Sequence, residues 1–177
     1  MKQYMLVLLA SGIMFCEPAH RSDAKSPAWP ENLPVYNHIV IVVEENKTYE
    51  AIIGSKDAPY INDTLKAEGA NLTQMYAEEH VSQGNYFWLF SGSNQNVGFY
   101  DIILDRNNNV NYPFTARNLG EQLINKKLSF NGYAESLPAI GDTVDAYGSY
   151  ARKHVPWITF SNVPMGKRLD VVKPELR

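Results

Sequence analysis

The feature that most constrains the fold is an uninterrupted β-branched run from Ile39 to Val43. Parallel strands that are covered on both faces have continuous apolar runs of this kind. The run ends abruptly in the polar segment Glu44-Glu45-Asn46-Lys47. In an open α/β sheet, ligands bind just beyond the carboxyl ends of the strands. We therefore expect a buried strand here, with the polar segment at the functional edge of the sheet.

The rest of the chain alternates between helical and strand-like patterns. Hydrophobic spacing and turn residues predict helices over 58–68, from Tyr86 onward, over 119–127 and over 144–153, and strands over 70–77, 129–134 and 157–160. Strands that alternate with helices predict an α/β fold with a mostly parallel central sheet flanked by helices. The length of 177 residues and the 45% hydrophobic content are sufficient for one domain with its own core.

The amino terminus has the pattern of a secretory signal peptide over residues 1–24. Lys2 supplies positive charge, an apolar run extends from Met5 to Phe15, and Ala24 ends a segment of small residues suited to cleavage. The run is shorter than the roughly 20 residues that a membrane span needs. We predict a secreted or periplasmic protein with a linker at 25–34 and a folded domain at 35–177. A buried helix at 1–24 is the alternative, which the Pro- and Ser-containing linker disfavours.

Cys16, the only cysteine, leaves a lipid anchor as a second possibility for export. The bulky Phe15 stands where lipoprotein processing prefers a small residue, so we favour plain secretion. A chain cleaved after Ala24 contains no cysteine and forms no disulfide. The net charge of −3, without a basic stripe, argues against nucleic acid as a partner.

Three local groups could carry chemistry. The first is Glu45-Asn46, whose carboxylate and amide oxygens are hard ligands for a divalent cation. A solvated loop is the alternative. The second is the segment from His80 to Tyr86, in which Ser82 precedes a helix whose first amides favour a phosphate. An ordinary N-cap serine is the alternative there.

The third group is the segment from Arg152 to Trp157. His154 could act as a general acid or donate to a phosphate oxygen. The alternative is that these cations end a helix and offset its dipole.

Taken together, these segments resemble a bacterial phosphoesterase family that includes acid phosphatases and phospholipase C enzymes, within the alkaline-phosphatase-like superfamily. The resemblance covers most of residues 38–164. The segments that carry it are Val42–Tyr49, Ala58–Asn62, Gly69-Ala70, His80–Tyr86, Leu89–Ser93, Tyr133–Pro138 and Tyr150–His154.

The resemblance implies a role for each matching residue. Glu45, Asn46 and Ser82 would be ligands of a divalent metal ion of unknown identity. Ser82 would also be the nucleophile, with a phosphoseryl intermediate that water hydrolyses. Asn85 would help to hold the phosphate or the loop, and His154 would lie near the phosphate. Residues 35–177 would form the N-terminal part of a phosphoesterase domain.

The chain departs from the family pattern in two respects. Gly84 and Val81 stand where proline is common, which would loosen the loop around Ser82. In addition, no apolar strand followed by an Asp-Glu pair occurs after Ser82, although the family uses such a pair to complete its metal site. The fold and the metal site implied by the resemblance are therefore expected to be incomplete.

The leading hypothesis is a secreted metal-dependent hydrolase of phosphate monoesters, of the acid phosphatase type, acting on a phosphorylated small molecule or a phospholipid. One alternative is a phospholipase C that cleaves phosphodiesters, and another is a truncated, inactive remnant. A sulfatase-like enzyme is set aside because it requires a Cys/Ser-x-Pro-x-Arg segment that the chain lacks. The oligomeric state is left open.

Overall fold

The structure, a computed structural model, describes residues 31–164 and the backbone of residues 170–172. The predicted signal peptide at 1–24, Cys16 and most of the linker lie outside the described residues. The chain divides into two compact units, Met1–Leu65 and Lys66–Arg177. Within the described part, no helix is long and apolar enough to cross a membrane.

The described part of the first unit is organised around the side chain of Asn62. Its amide nitrogen donates to the carbonyl oxygens of Ile52 and Ala58 at 2.8 and 2.9 Å, and its Oδ1 accepts from the Gly54 N–H at 2.6 Å. These bonds join the end of helix α1 (Tyr49–Ile52) to a π-helical turn at Tyr60–Leu65. The prediction of a helix over 58–68 is thus confirmed, because most of this segment is helical.

The buried strand predicted at residues 38–43 is wrong for this structure. The segment lies outside any helix or strand, and its apolar side chains are exposed, Val40 to 83%. A parallel strand is buried only where other strands flank it on both edges. Among the residues that the structure describes, no strand pairs with this segment. The strand predicted over 70–77 is also absent.

The second unit contains most of the regular structure. Its elements are α2 (Lys66–Glu68), α3 (Ser82–Ser91), α4 (Leu119–Asn125), β1 (Tyr133–Glu135), β2 (Ala146–Tyr147), β3 (Tyr150–Ala151), 3-10 turns at Arg152–His154 and Pro156–Thr159, and β4 (Asp170–Val172). Strand β1 pairs with β4 in parallel, Ala134 opposite Val171, and β2 pairs with β3 antiparallel. The fold is α/β as predicted, but the described strands form two small sheets and not the predicted central parallel sheet.

The core of the second unit is aromatic. The side chains of Phe87 and Phe90 from α3 pack against Phe160, with ring centroids 6.0 and 5.5 Å apart in edge-to-face geometry. Phe114 lies 5.5 Å from Phe87 and is fixed by backbone bonds to Thr159 and Ser161, each of 2.9 Å. Aromatic pairs in this geometry add attraction beyond the burial of their area. Helix α3 is thereby anchored along one face, which fixes the direction of its first turn.

Two elements predicted near the end of the second unit are wrong. Residues 144–153 form the hairpin β2–β3 and part of a 3-10 turn, because Gly148 adopts a φ of 55° that turns the chain. Residues 157–160 begin in a 3-10 turn opened by Pro156, and only Phe160 forms a bridge, to Phe114. The predicted helix over 119–127 is confirmed as α4, and the strand predicted over 129–134 is found as β1, displaced toward Glu135.

Candidate active site

The loop that leads into helix α3 is closed by the side chain of Asn85. Its amide nitrogen donates to the carbonyl oxygens of Glu79 and Val81 at 2.6 and 3.2 Å, and its Oδ1 accepts from the Glu79 N–H at 2.9 Å. Both polar atoms of this amide therefore hold the backbone that surrounds Ser82. Of the two roles implied for Asn85, this geometry supports the holding of the loop, and the contact with phosphate stays a prediction.

Ser82 is the first residue of α3, with Val81 as the N-cap. Its side chain is partly buried, and its hydroxyl makes no hydrogen bond within the described residues. The alternative interpretation as an N-cap serine is therefore wrong, because the cap position belongs to Val81, which has no side-chain oxygen. The hydroxyl lies at a helix start, where the helix dipole and the amides without an intrahelical partner attract an anion.

Asp101 links the start of α3 to the 3-10 turn at Arg152–His154. Its Oδ1 accepts from the Gln83 N–H at 3.0 Å, and its Oδ2 accepts from Lys153 Nζ at 2.5 Å. Burial opposes the ionisation of Asp101, but the bonds from Lys153 and Gln83 outweigh it and lower its pKa below 3.8. The buried side chain of Gln83 also bonds to the backbone of Ile102 at 2.9 and 3.3 Å. The carboxylate therefore stays ionised beside the first turn of the helix.

His154 lies against helix α3. Its ring packs on Tyr86, with centroids 5.3 Å apart and planes tilted by 30°. The nearby Arg152 bonds to Asp145 at 2.9 Å and to the Leu104 carbonyl at 2.9 Å. The structure thus places Ser82 and Asn85 in the first turn of α3 and His154 against Tyr86 of the same helix, and it assigns Arg152 to structural contacts.

Glu45 and Asn46 belong to the first unit, in the exposed segment after residues 38–43, and the peptide bond between them is cis. Within the described residues, no group of three or more His, Cys, Asp or Glu side chains could hold a metal ion. The Glu45 carboxylate and the Asn46 amide oxygen are hard oxygen donors, of the kind that a divalent cation prefers.

Comparison with known proteins assigns the chain to a family. The model of the Phosphoesterase family matches residues 55–173. The chain belongs to the Phosphoesterase family. Over 132 residues, 75% of this chain, it is 48% identical to a Phosphatidylinositol-3-phosphatase of Mycobacterium tuberculosis. Over 135 residues, 72% of this chain, it is 28% identical to a protein of Kluyveromyces lactis named Probable acid phosphatase. No solved structure matches.

The matches confirm the predicted phosphoesterase family, and both relatives are named as phosphatases. They span 42% of the first relative and 30% of the second. The chain therefore corresponds to less than half of either relative's length. The matched region contains Ser82, Asn85 and His154 of the second unit. Glu45 and Asn46 precede the residues that the family model matches.

Sequence reasoning missed two residues that contact the loop and helix around Ser82, Asp101 and Glu79. Glu79 Oε1 accepts from Trp88 Nε1 at 2.8 Å and from Asn94 Nδ2 at 2.6 Å. Asp101 is separated from α3 by a long loop, so no local pattern indicated its contact. For Glu79 the only signal in the sequence was the unexpected Gly84, whose space the Glu79 carboxylate occupies.

Proposed function

We propose that this phosphoesterase-family chain hydrolyses phosphate monoesters with Ser82 as the nucleophile. The observation that carries the proposal is the position of Ser82. Its hydroxyl makes no hydrogen bond within the described residues, and it lies at the first position of a ten-residue helix, in the turn whose Gln83 N–H bonds to Asp101. A hydroxyl in this position can approach a phosphorus atom while the helix amides attract the phosphate oxygens.

The proposed reaction has two displacements at phosphorus. First, the bond from Ser82 Oγ to phosphorus forms while the bond from phosphorus to the alcohol oxygen breaks. The serine proton passes to solvent, and the departing oxygen takes a proton, for which His154 is the proposed donor. Then water attacks the phosphoserine, the bond from Oγ to phosphorus breaks, and inorganic phosphate leaves with the serine hydroxyl restored.

The chain's own residues would orient these steps. Asn85 keeps the loop closed around Ser82, and Asp101 fixes the first amides of α3 by accepting from Gln83. Lys153, held at 2.5 Å from Asp101, adds a positive charge near the same turn. These contacts reduce the freedom of the nucleophile, which is how positioned groups lower the entropic part of a barrier.

We further propose that a divalent cation serves this reaction, with the Ser82 hydroxyl as one of its oxygen ligands. When bound, such an ion would lower the pKa of the serine hydroxyl and offset charge on the phosphate. Support comes from the resemblance and from the hydroxyl oxygen, which is a hard donor of the kind that such ions prefer.

The substrate class follows from the relatives. Both are named phosphatases, and one is named for a phosphoinositide. We therefore propose a phosphate monoester on a small molecule or on an inositol lipid, in preference to the phosphodiester of a phospholipase C. Export to the periplasm or the medium is proposed on the signal-peptide pattern of residues 1–24.

Hydrolysis assays on the purified chain test the proposal. We expect release of phosphate from para-nitrophenyl phosphate and from phosphatidylinositol 3-phosphate, stimulated by added divalent ions and reduced by at least about a hundred-fold in Ser82→Ala. Ser149→Ala is the matched control, since Ser149 is exposed and makes no hydrogen bond within the described residues. Equal activity in Ser82→Ala and the control would refute the proposal, and a folded but inactive chain would favour the remnant alternative.

A further inference from the structure

The carboxylate of Glu79 lies between the loop and the body of helix α3. One oxygen, Oε1, accepts from the indole of Trp88 and from the amide of Asn94, which tie it to the middle of α3 and to the segment after it. The other oxygen, Oε2, is buried and has no hydrogen-bond partner among the described residues. A buried polar atom without a partner is costly, so its retention calls for an explanation.

Gly84 provides the space that this oxygen occupies. An ideal Cβ at this position would lie 2.8 Å from Glu79 Cδ and closer still to Oε2. The carboxylate therefore occupies the space that any other residue at position 84, proline included, would fill with its side chain. Gly84 has a helical conformation without positive φ. Its need for glycine is steric and comes from Glu79 alone among the nearest atoms.

The same residue also fixes the loop through its backbone. The Glu79 N–H and carbonyl both bond to the Asn85 side chain, at 2.9 and 2.6 Å. Glu79 is thus held at both ends. Its side chain is locked onto α3, and its main chain is locked onto residue 85, with Ser82 in the enclosed turn.

We propose that Glu79 is a positioning residue for Ser82, and that Gly84 leaves the space in which the Glu79 carboxylate is held. The proposal deepens the proposed function and rests on it for its catalytic consequence. The carboxylate bonds to Trp88 and Asn94. It acts by holding the loop so that the Ser82 hydroxyl keeps one position at the start of α3.

The decisive test is a double-mutant cycle with Gly84→Ala and Glu79→Ala, followed by thermal unfolding. In the native chain, Gly84→Ala should lower Tm by several degrees, about the size that one steric defect causes in a domain of this size. In the Glu79→Ala background the same change should raise Tm, because the obstructing carboxylate is gone and alanine is the better helix former. A change of the same sign in both backgrounds would overturn the pairing.

The positioning role has its own readouts. Glu79→Ala should shift the backbone amide resonances of Ser82 and Gln83 and lower kcat on para-nitrophenyl phosphate about ten-fold or more, with KM little changed. Glu79→Gln keeps an acceptor for Trp88 and Asn94, so it should restore both the amide resonances and kcat. Glu78→Ala, which removes the neighbouring exposed carboxylate, is the matched control and should leave both unchanged.

These measurements distinguish a failure of the proposed hydrolysis from a failure of the positioning role of Glu79. If the native chain hydrolyses no phosphate ester, the proposed function fails, and the Tm cycle with the Ser82 resonance still decides whether Glu79 positions the loop. If Glu79→Ala leaves the Ser82 resonance unmoved, or if Glu79→Gln fails to restore it, the positioning role is refuted whatever the activity.

Discussion

At the scale of single residues, the site depends on polar side chains that organise backbone. Asn85 and Asp101 bond to the backbone around Ser82, and the Glu79 side chain bonds to Trp88 and Asn94. The sequence indicated Ser82, Asn85 and His154 because each lies in a segment that resembles the family, and their roles stay predictions. It could not indicate the contact of Asp101, since that contact depends on how the loop at residues 99–104 folds back onto α3.

The ion pair of Asp101 makes stability depend on pH. Its pKa is lowered in the folded chain from 3.8, so the unfolded state binds the proton more readily. The stabilisation is therefore present above about pH 4 and is lost as the pH falls through the lower folded pKa. We expect the decline in the free energy of unfolding below pH 4 to be smaller in Asp101→Asn than in the native chain, as measured by denaturant titration at several pH values.

Lys153→Met tests the source of the effect, because it removes the partner of Asp101 and keeps the carboxylate. Since the bond from Lys153 lowers the pKa of Asp101, this variant should also flatten the acid decline. An undiminished decline in Lys153→Met would show that the contact between Asp101 and Lys153 is not the source of the effect.

At the scale of elements, the helices were predicted better than the strands. Helix α4 begins where a capping asparagine precedes an apolar periodic stretch, and helix α3 ends at Gly92 in the left-handed conformation, with φ 66°. The segment 144–153 was predicted as a helix because its apolar spacing permits one, yet Gly148 turns it into a hairpin. The strand at 38–43 failed because burial of a strand depends on neighbours that the pattern of one segment cannot reveal.

The cap of α4 gives a test at this scale. Asn118 is fully buried, accepts from the Glu121 N–H at 2.8 Å and donates to Asn162 at 2.8 Å. Asn118→Ala should lower the free energy of unfolding by about 2 kcal/mol or more, since both a cap and a buried bond are lost. Asn125→Ala, at the exposed end of the same helix, should change it by less than about 0.5 kcal/mol.

At the scale of the whole molecule, the notable feature is an exposed apolar segment. Residues 38–43 expose a β-branched run in the first unit, while the second unit has an aromatic core of its own. The chain corresponds to 42% of the length of its phosphoinositide phosphatase relative. An exposed, uncharged and unpaired segment of high β-propensity is a site for intermolecular strand pairing.

The exposed segment should therefore govern solubility. We expect the native chain to self-associate as its concentration rises, and Ile41→Lys to suppress this association by placing a charge in the middle of the segment. Sedimentation velocity over a concentration series measures the effect. Ser149→Lys adds the same charge at an exposed position of the second unit, and an equal gain in solubility from both variants would show that net charge, not the segment, is responsible.

The central claim, that Ser82 is the nucleophile, is tested most directly by trapping its intermediate. The chain is mixed with para-nitrophenyl phosphate and divalent ions, quenched in acid, digested and examined by mass spectrometry. The account predicts phosphoserine at Ser82, absent without substrate and absent from Ser82→Ala. Turnover of the ester with no phosphate on Ser82, or with the same turnover in Ser82→Ala, would contradict it.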